Sequence, residues 1–220
     1  MLDTARRLPL VQLDRFVGGT STDWVGVDDI AAMRLVLDHL HETGARSVAF
    51  AGSLLTNSST EQRLAGFRRR AGELGMTAGP ESVQLGDYSV EWGEEAVARL
   101  VGARALPDAI VCADDLIALG VTRGCRARGL RVPEDVQVTG FDNIEFARLS
   151  DPALTTVDQP TDRIAAEAVR LLTAAGKGDR DASAHIALVP KLVVRQRTLT
   201  LPAHDRHRRA GAPRTSGGGG

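Results

Sequence analysis

Several things are scarce in this sequence, and each scarcity excludes a class of protein. No apolar run approaches the length of about 18 residues that marks a membrane-spanning helix. The opening stretch from Met1 to Arg7 has an acid, two arginines and no apolar centre, so it does not read as a signal peptide, and a cytoplasmic protein is expected. There are only two cysteines, Cys112 and Cys125, which excludes a disulfide framework and a CxxC site. Both sit in apolar runs, as buried reduced thiols do. Aromatics make up 4% of the 220 residues, so the core must be mostly Leu, Val, Ile and Ala. Charge of one sign is missing as well. The 27 Lys and Arg against 28 Asp and Glu leave a net charge of -1, which gives no general field for nucleic acid or an anionic membrane.

Catalytic and cofactor signatures are also absent. There is no P-loop, no GxSxG, no GxGxxG and no HExxH. The five histidines, at 39, 41, 185, 204 and 207, form no ligand spacing with carboxylates or cysteines. No catalytic residue, metal site or cofactor is expected.

What the sequence does have is a rhythm. Apolar segments at 8–14, 24–28, 47–52, 82–86, 109–113, 136–141, 155–158 and 185–195 read as strands. Helical spacing fills most of the gaps. Met33, Val36, Leu37 and Leu40 recur behind Asp28 and Asp29, either of which can cap, and Gly44 ends the helix. Ser58, Ser59 and Thr60 with Glu61 and Gln62 offer a capping box for a helix reaching about Gly75. Further helices are expected near 91–101, 116–128 and 162–174. Strands alternating with helices predict an α/β fold with a parallel, doubly wound sheet. The strands are continuous apolar runs, as in sheets covered on both faces.

Two regions break the rhythm. Segments 8–14 and 24–28 have no helix between them, although a parallel pair needs a crossover of about a dozen residues. From Pro202 onward the sequence turns to Pro, His, Arg, Ser and Gly, with a net charge of +3, leaving about -4 for the rest. Residues 199–220 lack apolar anchors and are expected to form a disordered tail.

In an open α/β sheet, ligands bind beyond the carboxyl ends of the strands. That rule selects the polar stretch after 47–52, then Asp87 and Tyr88, Asp114 and Asp115, and Asp142 and Asn143, with Arg63 on a first helical turn facing the same rim. Each has a plainer reading. Asp114 or Asp115 can simply cap a helix, Asp142-Asn143 can be a turn, Arg63 can be solvated, and Tyr88 can be packing. Together they suit a sugar-like or nucleobase-like ligand, because hydroxyls take charged hydrogen-bond partners and a ring takes an aromatic face.

These motifs carry a resemblance. Gly52-Ser53, Arg63-Leu64-Ala65-Gly66-Phe67, Gly86-Asp87-Tyr88-Ser89, Ala113-Asp114-Asp115 through Gly120, Gly140-Phe141-Asp142-Asn143, and Asp151-Pro152 through Gln159-Pro160 follow one another at fixed spacing. The chain thereby resembles the effector-binding core of the LacI/GalR family of bacterial transcription regulators. The resemblance implies a periplasmic-binding-protein-like type I fold with a ligand between two α/β subdomains. It assigns 1–28 plus 155–180 to a partial first subdomain and 29–154 plus 184–198 to a nearly complete second one. It implies effector contacts at Ser59, Arg63, Tyr88, Asp114 and Asp142. The implied partners are a small sugar-related effector, a second copy of the chain, and operator DNA through a helix-turn-helix that the sequence lacks, so that the chain reads as N-terminally truncated. A sugar-binding protein of a transport system is the alternative, and no membrane partner is expected. On this reading Arg63→Ala should remove the effector response and leave the fold intact.

Overall fold

Residues 9–176 and 183–198 are described by a computed structural model; the expected tail at 199–220 lies outside them. The chain opens with β1 (Val11–Leu13) and β2 (Asp23–Val27), then α1 (Asp29–Glu42), β3 (Val48–Ser53) and α2 (Ser58–Glu73). Next come β4 (Val83–Gly86), α3 (Val90–Gly102), β5 (Ala109–Cys112), α4 (Asp115–Ala127) and β6 (Gln137–Phe141). It continues through a short α5 (Glu145–Leu149), β7 (Thr155–Asp158), α6 (Thr161–Gly176), β8 (His185–Leu188) and β9 (Lys191–Val193). Among the described residues no helix is long and apolar enough to cross a membrane.

The strands form two sheets. One has the order β4-β3-β5-β6-β7-β9 and is parallel except for the antiparallel β7–β9 pair. The other has the order β1-β2-β8 and is parallel throughout. The larger sheet is covered on both faces, which is why every residue of β3, β5 and β6 is buried and their sequences do not alternate. On one face Phe50, Val111 and Phe141 meet Val36, Leu37 and Phe67 of α1 and α2. On the other, Ile110, Cys112 and Val138 meet Trp92, Val97 and Val121 of α3 and α4. In the smaller sheet Val25 and Leu188 pack under Ile164, Ala168 and Leu171 of α6.

Local chemistry fixes where the helices start and how closely they meet. Asp28 caps α1 by accepting from Ala31 N at 2.8 Å. Asn57 caps α2, accepting from Thr60 N at 2.9 Å. The capping box expected at Ser58–Thr60 therefore does not form: the Ser58 and Thr60 hydroxyls face other partners, and that of Ser59 makes no bond among the described residues. Helices α3 and α4 approach backbone to backbone. A Cβ on Gly120 would lie 1.9 Å from Val90 O, so only glycine fits there.

Three expectations about chain path change. β1 and β2 pair directly and in parallel, Val11 opposite Asp23, without any helical crossover. The intervening loop is organised instead by Gln12. Its Nε2 donates to Thr22 Oγ1 at 2.6 Å and Thr20 Oγ1 at 3.1 Å, and its Oε1 accepts from Val17 N at 2.7 Å. Gly19, with φ of 74°, turns the chain back. The expected single extended segment at 185–195 is two strands in different sheets. Pro190 lies between them and has no N–H for a ladder. In consequence β8 sits in the smaller sheet, and β7 sits in the larger one, where the expected grouping had placed each in the other. The chain passes between sheets at three points: after β2, after β7 and after β8.

Candidate functional site

Residues at or just past the carboxyl ends of β1, β2, β5 and β6 surround one guanidinium. Arg63, on the second turn of α2, is 3% exposed. Its Nε donates to Asp29 Oδ1 at 2.7 Å, and Nη1 donates to Ala113 O, the residue after β5, at 2.6 Å. The plane of the group lies over the Phe141 ring, with Cζ 3.5 Å from the centroid. These contacts leave Nη2 without an acceptor among the described residues.

Around it stand the other residues singled out from sequence. Asp114 caps α4, accepting from Ile117 N at 2.7 Å. Its carboxylate lies within electrostatic reach of both Arg63 and Asp142. Asp142 faces Arg63 and accepts from the Gln159 amide. Ser59 is buried on the turn before Arg63, and its Oγ has no hydrogen-bond partner among the described residues. Tyr88, half-buried at the end of β4, shares a 3.1 Å hydrogen bond between its hydroxyl and Thr60 Oγ1, and that Oγ1 is 2.6 Å from Ser53 Oγ. All five expected residues therefore lie at the same end of the larger sheet.

The smaller sheet contributes residues that the sequence reading did not select. The β1–β2 loop reaches over α2, with Phe16 N donating to Ser58 Oγ at 2.9 Å and Arg15 Cζ 5.1 Å from the Tyr88 centroid. Asp14, at the end of β1, acts electrostatically on Arg63, Asp29 and Asp142, and its Oδ1 is buried without a donor among the described residues. Asp29, just past β2, makes the ion pair with Arg63. Gln159 follows β7 on the segment that passes between the sheets. The strand-end rule would have found Asp14, Asp29 and Gln159 had it been applied to β1, β2 and β7 as it was to β3–β6. Asp29 was read as a possible cap; Asp28 does the capping, which frees Asp29 to reach across.

The Asp142 loop is held in an unusual conformation. Asp142 and Asn143 both have positive φ, 102° and 53°, a region that side chains other than glycine rarely occupy. Asn143 Nδ2 donates to Asp158 Oδ1 at 2.7 Å, and its Oδ1 accepts from Arg195 Nη2 at 2.8 Å.

Burial dominates the acid–base behaviour of this cluster. It raises the carboxyls of Asp29 and Asp114 to about 6 and that of Asp115 to about 7, and it raises Asp142 too. Arg63 opposes the rise at Asp29, Asp114 and Asp142, while neighbouring carboxylates add to it. Four carboxylates, from Asp14, Asp29, Asp114 and Asp142, thus face two arginines, Arg15 and Arg63. Such a surround accepts hydroxyl and amino hydrogens and repels anions. Among the described residues no group of three or more His, Cys, Asp or Glu side chains is placed to hold a metal ion.

Comparisons with known proteins bear on the family and the fold. Residues 37–198 match the model of the periplasmic binding protein-like domain family. The transcriptional repressor PurR of Pasteurella multocida is 32% identical over 189 residues, which cover 86% of this chain and 57% of the repressor. The chain thus spans little more than half the length of the curated relatives it matches. Among solved structures, a LacI-type transcription regulator from Bifidobacterium animalis superposes with a TM-score of 0.77 at 30% identity, covering 88% of this chain and 72% of that one. The transcriptional regulator CelR in complex with cellobiose superposes with a TM-score of 0.80 at 32% identity, covering 85% and 58% respectively. These relatives are transcription regulators rather than enzymes.

Proposed function

We propose, from the premise that this chain belongs to the LacI family of transcription regulators and forms its periplasmic binding protein-like, effector-binding domain, that it senses a small neutral or cationic polyhydroxylated molecule. One observation carries the proposal: carboxylates from the strand ends of both sheets gather around Arg63, beside an aromatic ring and a buried, unpartnered hydroxyl. Sugar hydroxyls suit Asp14, Asp142 and the free Arg63 Nη2, and a sugar or base ring suits Tyr88. The excess of carboxylates favours a neutral sugar or nucleoside over a phosphorylated one. Cellobiose, named as the ligand of the CelR relative, is of this kind.

The two sheets act as two subdomains. An effector that touches Asp14 on one and Asp142 on the other ties them together. It binds the closed arrangement better than the open one and so shifts their populations. Gln159 links the effector contact to a segment that passes between the sheets, because it donates to Asp142 while lying between β7 and α6. In the whole regulator this shift changes operator affinity through a helix-turn-helix in a cytoplasmic homodimer.

A thermal-shift screen tests the reading. Neutral sugars and nucleosides are compared with their phosphates. At about 100 times its Kd, a true effector adds about 2.7 kcal/mol of stability. That rise is expected for a neutral compound, is lost in Asp142→Asn and Tyr88→Ala, and is absent for its phosphate. Stabilisation by a phosphate that both variants retain would contradict the proposal.

A further inference from the structure

Asp115 follows the capping Asp114 but turns away from the strand-end cluster. It is 3% exposed and reaches sideways beneath the loop after β6. Oδ2 accepts from Ile144 N at 2.8 Å, and Oδ1 accepts from Thr156 Oγ1 at 2.6 Å. Thr156 Oγ1 in turn accepts from Asn143 N at 3.4 Å, and Asp142 N donates to Val157 O at 2.9 Å. Three consecutive amides, of residues 142, 143 and 144, are thus taken up by the β7 backbone, the Thr156 hydroxyl and the Asp115 carboxyl. Those three bonds define the turn in which Asp142 and Asn143 have positive φ. Gly140 is shaped for the same purpose, since a Cβ there would lie 2.1 Å from Asp115 Oδ1.

We infer that Asp115 is a positioning residue, one that touches no effector but holds the left-handed turn which aims Asp142 at Arg63. The inference rests on the reading of Asp142 as an effector contact. It explains why two adjacent carboxylates follow β5. Asp114 stands in the strand-end cluster, and Asp115 secures the neighbouring loop. An asparagine at 115 preserves both bonds, since its oxygen accepts from Ile144 N and its amide donates to Thr156 Oγ1. An alanine loses both. The requirement is therefore for hydrogen-bonding shape and not for charge.

The test needs no effector, so its failure is distinct from failure of the effector reading, which the Asp142→Asn screen addresses. Amide exchange at Ile144 and the carboxyl titration of Asp142 are followed by NMR in wild type, Asp115→Ala, Asp115→Asn and Thr156→Val. In Asp115→Ala, Ile144 exchange rises by about tenfold or more, as local opening becomes easier. The Asp142 titration moves back toward an ordinary carboxyl, while amides in β3 keep their protection. Asp115→Asn matches wild type in both readouts. Thr156→Val, which keeps the shape of the side chain, exposes Asn143 and Ile144 to faster exchange and serves if the alanine variant does not fold. Unchanged Ile144 exchange and Asp142 titration in the variants that remove bonds would overturn the inference. So would Asp115→Asn behaving like Asp115→Ala.

Discussion

Replacing Arg63 with alanine should destabilise the protein by an amount that depends on pH. The substitution strands Asp29, which is 3% exposed, and removes the donor to Ala113 O. Breaking a buried ion pair from one side costs about 3–5 kcal/mol. Asp29 limits the loss by taking up a proton. An ordinary carboxyl here titrates at 3.8. Burial already raises it to about 6 in the wild type, so at 1.36 kcal/mol per pH unit its neutralisation in the variant adds about 1.4 kcal/mol at pH 7 and almost nothing at pH 5, where the wild-type carboxyl is already mostly protonated. Chains of this size lose about 2–4 °C of Tm per kcal/mol, so the variant should melt about 10 °C lower at pH 7, and the fall should be smaller by about 4 °C at pH 5. Circular dichroism melts at the two pH values measure this. The double variant Arg63→Ala, Asp29→Ala should recover part of the loss, because it leaves no buried carboxyl behind. A fall under about 2 °C at both pH values, or a double variant no better than the single one, would refute the reasoning. The expectation from sequence, that Arg63→Ala leaves the fold intact, is thereby revised: Arg63 joins α1, α2 and the end of β5, so the same side chain supports fold and site.

Other outcomes follow from single contacts. Ser59→Ala should leave Tm within about 1 °C, since its buried Oγ makes no bond to lose, yet weaken effector binding by about tenfold; a large loss of stability would show an internal partner. Gly120→Ala should cost about 3 kcal/mol or more in a urea melt, because the added Cβ meets Val90 O at 1.9 Å and both helices must part; a neutral outcome would refute the close helix contact. Stability should fall as pH rises from about 4 to about 7. Asp29, Asp114 and Asp115 titrate higher in the fold than their ordinary 3.8, so the fold binds more protons than the unfolded chain over that window. His39, lowered by burial, acts in the opposite sense below its ordinary value, one group against four once Asp142, also raised, is counted. A higher Tm at pH 5 than at pH 7.5 is expected, with a flatter slope in Asp115→Asn; a Tm that rises with pH would refute the assignment.

The larger sheet was legible because each of its buried strands is a short apolar run and its helices carry evenly spaced apolar faces. Val36, Leu37 and Leu40 pointed inward on α1 just as their spacing required. The smaller sheet was harder. Its first loop closes through Gln12, a side-chain device that no spacing rule records. The division of 185–195 turns on one proline, Pro190, and on which sheet has a free edge, which is a tertiary matter. Ser59, Arg63, Tyr88, Asp114 and Asp142 were found through strand-end position and motif order. What position could not supply was the division of labour. Asn57 rather than a serine caps α2, Asp28 rather than Asp29 caps α1, and Asp115 turns aside from Asp114. The caps are local bonds over three residues, whereas Asp29 and Asp115 are turned aside by bonds to Arg63, Ile144 and Thr156, far away in sequence.

Effector binding between the two sheets, against Arg63, is the decisive point. A crystal structure of the chain with the compound that most raises its Tm is the direct measurement. The expected result is a neutral, hydroxyl-rich ligand within hydrogen-bond distance of Arg63 Nη2 and Asp142, with its ring on Tyr88 and at least one contact to Asp14. A ligand bound elsewhere on the chain, with the Arg63–Asp29 pair and the Gln159–Asp142 bond undisturbed and no effector contact to either sheet's strand ends, would contradict it.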